Sequence, residues 1–113
     1  MQGIPRRYYR GIPGDVESMA ESSPLEKKLA RLFADTLRER RRELGLSQEQ
    51  VALLAGIDRN HYQLMESARS DRKSNKAANP QMFTLLKLAT ALEMPVEDLL
   101  EGVSTFYRRE SNE

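Results

Sequence analysis

The sequence predicts an all-α fold, and three observations support this prediction. Apolar residues recur at intervals of three and four through much of residues 24–102. Residues that commonly cap helices precede three of these stretches, at Ser23, Ser47 and Asp58. No segment alternates apolar and polar residues over the length of a strand, so no sheet is expected.

The first helix is predicted to begin directly after Ser23. Ser23 can accept a hydrogen bond as the cap, Pro24 suits the first helical position, and Glu26 stands where a capping box needs it. Gly45 ends the helix, because glycine readily adopts the left-handed conformation of a helix terminus. Residues that recur at helical spacing within it are Leu25, Leu29, Leu32, Phe33, Thr36, Leu37 and Leu44.

Two short helices are predicted to follow and to meet at Gly56. Ser47 and Gln50 form a second capping box, and the helix that they start is barely two turns long. Its apolar positions are Val51, Leu54 and Ala55. Ile57 is an apolar anchor, and Asp58 caps a third helix that runs to about Ser67.

Counting 100° per residue from Ile57 divides the third helix into two faces. The predicted inward residues are His61, Tyr62 and Met65, and the predicted outward residues are Arg59, Asn60 and Gln63. Arginine pairs with guanine, and asparagine or glutamine with adenine, through two hydrogen bonds in the major groove. The outward face therefore fits base reading, and its alternative is an ordinary solvated helix surface.

The rest of the chain is predicted to contain two more helices and a tail. Asn79 and Pro80 would begin the fourth helix, and Val96 to Leu100 gives a short fifth. The apolar residues of the fourth helix are Phe83, Leu85, Leu86, Leu88, Ala89 and Leu92. Residues 103–113 are predicted to be a C-terminal tail, in which Phe106 and Tyr107 could dock on the core or on a second copy.

Length and composition restrict the classes of function. A chain of 113 residues fits one domain, predicted over residues 24–102, and the apolar run VALLAGI is too short to span a bilayer. Without cysteine, disulfides and thiolate zinc sites are excluded, and a cytoplasmic location is expected. With one histidine and no pairing of a nucleophile with a base, we predict no enzyme activity, metal or cofactor.

The net charge of +1 hides an uneven distribution. Residues 67–79 contain four basic residues and one acidic residue, a net charge of +3, whereas residues 80–113 carry −3. The first of these segments is called the basic loop below, and it contains Arg69, Arg72, Lys73 and Lys76. Two roles are open for the basic loop: it contacts DNA phosphates, or it is a flexible insertion that binds no partner.

From Leu32 to about Leu100 the sequence resembles the Cro and phage-repressor-like helix-turn-helix family, also called the Xre family. The resemblance is carried by "LRERRRELGLSQEQVALLAGIDRNHYQLME" and "NPQMFTLLKLATALEMPVEDLL". It implies a five-helix lambda-repressor-like domain, with the helix-turn-helix at about residues 47–67. It further implies a cytoplasmic protein of bacterial or mobile-element type that binds double-stranded DNA as a homodimer, usually as a repressor.

The resemblance also implies roles for individual residues. Base contacts are expected from Arg59, Asn60, Gln63 and Leu64, where Leu64 either meets a thymine methyl group or flanks the core. Phosphate contacts are expected from Gln48, Asp58 and Tyr62. The basic loop is longer here than in the family pattern, and its phosphate contacts are predicted instead from its charge and its place next to the third helix. Arg41 is expected to pair with Glu66.

The first 23 residues are predicted to be an extended arm, because they show little periodicity and contain the near-repeat GIPRRYYRGIPG. One reading is plain disorder. Another is an arm that enters the minor groove through Arg6, Arg7 or Arg10. A third makes the chain an antitoxin-like autoregulator whose arm binds and neutralises a protein partner. We expect a sequence-specific DNA-binding transcriptional regulator, with this antitoxin-like reading as the alternative.

Overall fold

A computed structural model describes residues 22–111 of the protein. Within that range the chain forms six helices: α1 Pro24–Glu43, α2 Gln48–Ala55, α3 Arg59–Glu66, α4 Met82–Ala91, α5 Val96–Leu99 and α6 Glu101–Ser111. The only β pairing in the described range is an isolated bridge between Arg69 and Ala77. The all-α prediction is confirmed, whereas the hypotheses about Arg6, Arg7 and Arg10 lie outside the described residues.

The predicted caps account for where the first helices begin. The Ser23 hydroxyl accepts a hydrogen bond from Glu26 N at 3.1 Å, and Glu26 Oε1 accepts one from Ser23 N at 2.7 Å. The same reciprocal pair joins Ser47 and Gln50, at 3.0 and 2.8 Å. Each capping box satisfies two backbone N–H groups that a helix N-terminus otherwise leaves unpaired.

The core lies where α1, α2, α3, α4 and α5 meet. The helices α2 and α3 have only eight residues each, too few to be stable alone, so packing holds them in place. Core residues come from five helices: Phe33 and Leu37; Val51, Ala52 and Ala55; Tyr62 and Met65; Leu88, Ala89 and Ala91; and Leu99, with Leu92 just after α4. Ile57 packs against this cluster from the turn between α2 and α3.

Arg40 joins α1 to the end of α4. Its Nε donates to Leu92 O at 2.8 Å, and its Nη2 donates to Glu93 O at 3.1 Å. These carbonyls follow the last turn of α4, where the helix cannot supply donors of its own. The contact therefore fixes α4 against the helix that also supports α3.

Two leucines and a phenylalanine that the sequence gives as apolar positions of the second and fourth helices are exposed. Leu54 is 61% exposed, Phe83 67% and Leu86 47%, because the buried faces are made by Val51, Ala52 and Ala55 in α2 and by Leu88, Ala89 and Ala91 in α4. The predicted start of α4 also differs. The helix begins at Met82, two residues after Pro80. Gln81 is its cap and makes no side-chain capping bond.

The predicted C-terminal tail is largely a helix. α6 begins at Glu101, immediately after α5, and packs along α1. Val103 lies against the core, and the Lys28 ammonium sits 5.6 Å from the centre of the Phe106 ring. Phe106 thus contacts α1 through Lys28, and the contact of Phe106 and Tyr107 with the core or with a second copy stays a prediction. None of the helices described between residues 22 and 111 is long and apolar enough to cross a membrane.

Candidate nucleic-acid interface

The turn between α2 and α3 sets the angle at which α3 leaves the core. Gly56 has φ +70° and ψ 35°, a left-handed conformation that glycine adopts without strain. Ile57 N donates to Ala52 O at 3.0 Å, which closes the turn. The Asp58 carboxylate then accepts hydrogen bonds from Asn60 N at 2.9 Å and His61 N at 3.3 Å, so α3 begins where the sequence predicts.

The free face of α3 carries the predicted base-reading groups. Arg59 and Asn60 are exposed, and Gln63 and Leu64 are half-buried. Tyr62, Met65 and Glu66 face the interior at positions i, i+3 and i+4. Arg59 and Asn60 are therefore exposed as predicted, whereas Gln63 is exposed only in part.

His61 was placed on the wrong face, since it is exposed. The prediction included Ile57 in the inward face of the helix, although Ile57 lies in the turn before the Asp58 cap and not in α3. Counted within α3, His61 is rotated about 100° away from Tyr62 and leaves the buried stripe.

Buried Glu66 is the centre of the contacts behind α3. It accepts hydrogen bonds from Arg41 Nε at 2.6 Å and Nη2 at 3.1 Å, from Tyr62 Oη at 2.5 Å, and from Gln48 Nε2 at 2.9 Å. The Arg41–Glu66 pair expected from the resemblance is therefore present, with 4% of the Glu66 side chain exposed. It joins α1, α2 and α3 at one carboxylate.

The charges in this cluster depend on one another. Burial alone would raise the pKa of Glu66, but hydrogen bonds from Arg41, Tyr62 and Gln48 outweigh burial and lower it. The hydrogen bond to Glu66 raises the pKa of Arg41. The pKa of Tyr62 is also raised, mainly because the phenol is buried and then because it donates to the Glu66 carboxylate. Near neutral pH the cluster is thus an ion pair with a neutral phenol, and every member has a partner.

The structure contradicts the phosphate contact expected of Tyr62. The residue is 0% exposed, and its hydroxyl donates to Glu66 inside the protein. Asp58 is likewise a helix cap, because its carboxylate occupies the first amides of α3 and would repel a phosphate. Neither side chain is a suitable phosphate ligand here.

Gln48 connects the buried cluster to the exposed face. Its amide nitrogen donates to Glu66, and its amide oxygen accepts a hydrogen bond from Gln63 Nε2 at 3.3 Å. Gln48 therefore orients the Gln63 amide. The amide oxygen and the second N–H of Gln63 remain available to a ligand. Gln48 is half-buried at the first position of α2, and its phosphate contact stays a prediction.

The basic loop is folded rather than extended. The bridge between Arg69 and Ala77 is accompanied by hydrogen bonds from Ser70 N to Lys76 O at 3.0 Å and from Ala78 N to Ala68 O at 3.1 Å. At the tip, the Asp71 carboxylate accepts from Lys73 N and Ser74 N, at 2.8 and 2.7 Å. The backbone N–H of Ser74 is the main reason that the pKa of Asp71 is lowered.

The loop also contacts the outward face of α3. Arg72 Nη2 donates to Asn60 Oδ1 at 3.3 Å, which brings a loop cation beside a predicted base-reading amide. Arg69 is exposed and donates to Arg72 O at 2.6 Å, a contact within the loop itself. Lys73 and Lys76 are exposed. Phosphate contacts by the loop stay a prediction.

Sequence reasoning missed four contacts around α3. The link from Gln63 to Gln48 and the contact of Arg72 with Asn60 join residues separated by 15 and 12 positions, with no local pattern to indicate them. Arg38, which donates to Glu66 O at 3.3 Å, was also missed. The spacing of Tyr62 and Glu66, one helical turn apart, could have indicated their hydrogen bond.

Together these features define a helix-turn-helix protein in which α3 is fixed from behind and presents polar side chains outward. The family described as helix-turn-helix domain matches residues 32–101, and the chain belongs to this family. It is of the Cro and phage-repressor-like type, and family and fold point to a DNA-binding regulator rather than an enzyme.

Among solved structures, the chain is similar to the restriction-modification controller protein C.AhdI from Aeromonas hydrophila. The two are 38% identical and superpose with a TM-score of 0.52, over 62% of this chain and 94% of that one. No curated protein matches the chain by sequence.

Proposed function

We propose that this protein is a sequence-specific transcriptional regulator that reads the major groove of double-stranded DNA with α3. The observation that supports this most strongly is the position of Glu66. Its carboxylate accepts hydrogen bonds from side chains of α1, α2 and α3, which fix the buried face of α3. Arg59 and Asn60 remain exposed on the opposite face. A rigid helix loses little conformational freedom when it binds, so its side chains can discriminate between bases.

Each base-reading residue has a distinct proposed role. Arg59 has the donors to bind guanine O6 and N7, and Asn60 and Gln63 can each bind adenine N6 and N7. Leu64 is half-buried at the edge of the same face, where its exposed part is available to a thymine methyl group. Arg72 binds the Asn60 oxygen and so favours one orientation of that amide.

The phosphate contacts are proposed to come from the exposed cations of the basic loop and from the start of α2. Lys73 and Lys76 are exposed, and Arg72 lies beside α3, so a duplex held by α3 would run past them. The N–H groups at the start of α2 add a partial positive charge for a phosphate near Gln48.

We further propose that the protein acts as a homodimer and that it dimerises through α4. Met82 is 76% exposed, Phe83 67% and Leu86 47%, so apolar side chains line one exposed side of this helix. Exposed apolar patches on soluble proteins commonly mark interaction sites. A two-fold pair would place two α3 helices on half-sites about 34 Å apart and supply the affinity that one short helix lacks.

Repression is the proposed outcome of binding. The resemblance to phage repressors supports it, since a dimer that covers an operator can block transcription without any further contact. The similarity to a restriction-modification controller makes genes of that kind the first candidates for its targets.

Selection of bound fragments from random double-stranded DNA, at two salt concentrations, tests the proposed function. We expect one enriched motif with inverted half-sites centred about 10 base pairs apart, enriched more strongly at the higher salt because non-specific binding falls first. Retention of all fragments alike at both concentrations would contradict sequence-specific reading. A reporter placed behind the selected motif then measures the sign of regulation.

A further inference from the structure

A groove of about 460 Å³ lies between the first half of α1, the end of the basic loop and the start of α6. None of residues 59–64 lines it, so base reading does not explain it. Its apolar lining consists mainly of Leu29, Ala30, Phe33, Leu85, Leu100 and Val103. Its polar lining includes Glu26, Ser70 and Lys76, and Lys76 is an exposed cation of the basic loop.

The chain itself enters at this groove. Ser22 is the first described residue, it lines the groove, and its hydroxyl accepts a hydrogen bond from Ala77 N at 2.7 Å. The residues that precede Ser22 therefore begin beside both the apolar lining and the basic loop. Met19 is three residues away, which at roughly 3.3 Å per residue keeps it within about 10 Å of Ser22.

The sequence of this preceding segment complements the groove. Residues 15–21, DVESMAE, contain Val16, Met19 and Ala20 at the i, i+3 and i+4 spacing that places side chains on one helical face. The same seven residues contain three carboxylates and no basic residue, a net charge of −3. The basic loop beside the groove carries +3.

We propose that residues 15–21 dock in this groove, with Val16 and Met19 on its apolar lining and the acidic side chains beside Lys76. Docking removes apolar surface from water at a point where the Ser22 contact has already brought the segment close. A consequence, which rests on the proposed function, is competition: the docked carboxylates attract the same loop cations that would bind DNA phosphates.

Cysteine crosslinking of the full chain tests the docking, since the protein has no cysteine of its own. A disulfide needs its two Cβ atoms about 3.5–4.5 Å apart. Met19→Cys combined with Val103→Cys should form an intramolecular disulfide at least tenfold faster than Met19→Cys combined with Thr105→Cys. Thr105 is the matched control, because it is exposed on the same helix and does not line the groove.

Equal rates for the two pairs would overturn the docking. Disulfide-linked dimers in place of the intramolecular product would also overturn it, because the groove would then hold the segment of a second copy. Adding Val16→Asp to the reactive pair keeps the tether length and should slow the reaction at least fivefold. An unchanged rate would mean that tethering alone causes the crosslink, and would count against docking.

The competition has a separate readout. Neutralising the segment with Asp15→Asn, Glu17→Gln and Glu21→Gln should tighten binding to any DNA at low salt, whatever its sequence. A crosslink without this gain would overturn the competition and leave the docking in place. If the wild-type chain shows no preference for any DNA sequence, that result would instead contradict the proposed function.

Discussion

The guanidinium of Arg41 and the carboxylate of Glu66 form a two-point contact that joins the end of α1 to the end of α3. The Nε–Oε2 distance is 2.6 Å and the Nη2–Oε1 distance is 3.1 Å. Two parallel hydrogen bonds fix direction as well as distance, which a single point contact does not. The orientation of α3 therefore depends on a residue of α1 that lies 25 positions earlier in the chain.

Arg41→Ala is expected to lower the free energy of unfolding by about 3–5 kcal/mol, because it leaves the buried carboxylate of Glu66 without its cation. Urea denaturation at pH 7 measures this. The control is Arg42→Ala, which removes the next, exposed arginine of the same helix and should cost under about 1 kcal/mol. Similar losses for the two variants would contradict a special role for the Arg41–Glu66 pair.

The stability contributed by Glu66 should depend on pH. Its pKa is lowered in the folded protein, so its contribution is complete above the unfolded value of about 4.3 and is lost as pH falls through the folded value. The free energies of unfolding of the wild type and Glu66→Gln should therefore differ most near pH 7, and the difference should begin to shrink as the pH falls below about 4. A constant difference down to pH 3 would argue against the lowered pKa.

Tyr62→Phe separates a structural role from DNA contact. Removing a buried hydroxyl that donates to a carboxylate should cost about 1.5–3 kcal/mol of stability. The salt dependence of DNA binding should stay that of the wild type, because the hydroxyl does not reach the surface. If the salt slope of Tyr62→Phe is lower than that of the wild type by about 1, the hydroxyl contacts a phosphate, as the sequence predicted and contrary to the structure.

The sequence was sufficient where structure is decided locally. The capping residues Ser23, Ser47 and Asp58 and the left-handed Gly45 each act within four positions, and all are found as predicted. Helix α6 was missed, since Gly102 interrupts its start and its apolar residues are few. Its position is decided by α1, against which it packs.

Reading the interface from the sequence was limited by burial. The sequence placed Tyr62 on the inward face of the helix but still expected its hydroxyl to reach a phosphate. In the structure Tyr62 is fully buried in the core, and its hydroxyl donates to Glu66. The folding of the basic loop onto Asn60 likewise depends on tertiary contacts between Arg69 and Ala77. Arg59 and Asn60 were placed outward correctly, because amphipathic periodicity indicates which side of a helix is exposed.

Arg59→Ala is expected to reduce binding to the selected motif by about 1–3 kcal/mol and to relax preference at one base pair, because it removes two hydrogen bonds to one base. Lys73→Ala should weaken binding to every sequence alike and lower the salt slope by about 1. Titrations of motif and scrambled duplexes at several salt concentrations distinguish these results. Equal losses on both duplexes for Arg59→Ala would exclude it from base reading.

Phe83→Asp should convert the proposed dimer into a monomer. The residue is 67% exposed, and the Lys87 ammonium lies 4.6 Å from its ring centre. An acidic residue in the first turn of α4 is favourable to the helix dipole, so the helix should remain folded while its apolar side becomes charged.

Sedimentation at several protein concentrations measures the change, with far-ultraviolet circular dichroism confirming the fold. Tyr107→Asp is the control on α6, where the sequence had placed the candidate interface and where the tyrosine is 50% exposed. A monomer produced by Tyr107→Asp and not by Phe83→Asp would move the interface to α6. A wild-type chain that stays monomeric while it binds its motif would instead mean that one α3 supplies the affinity alone.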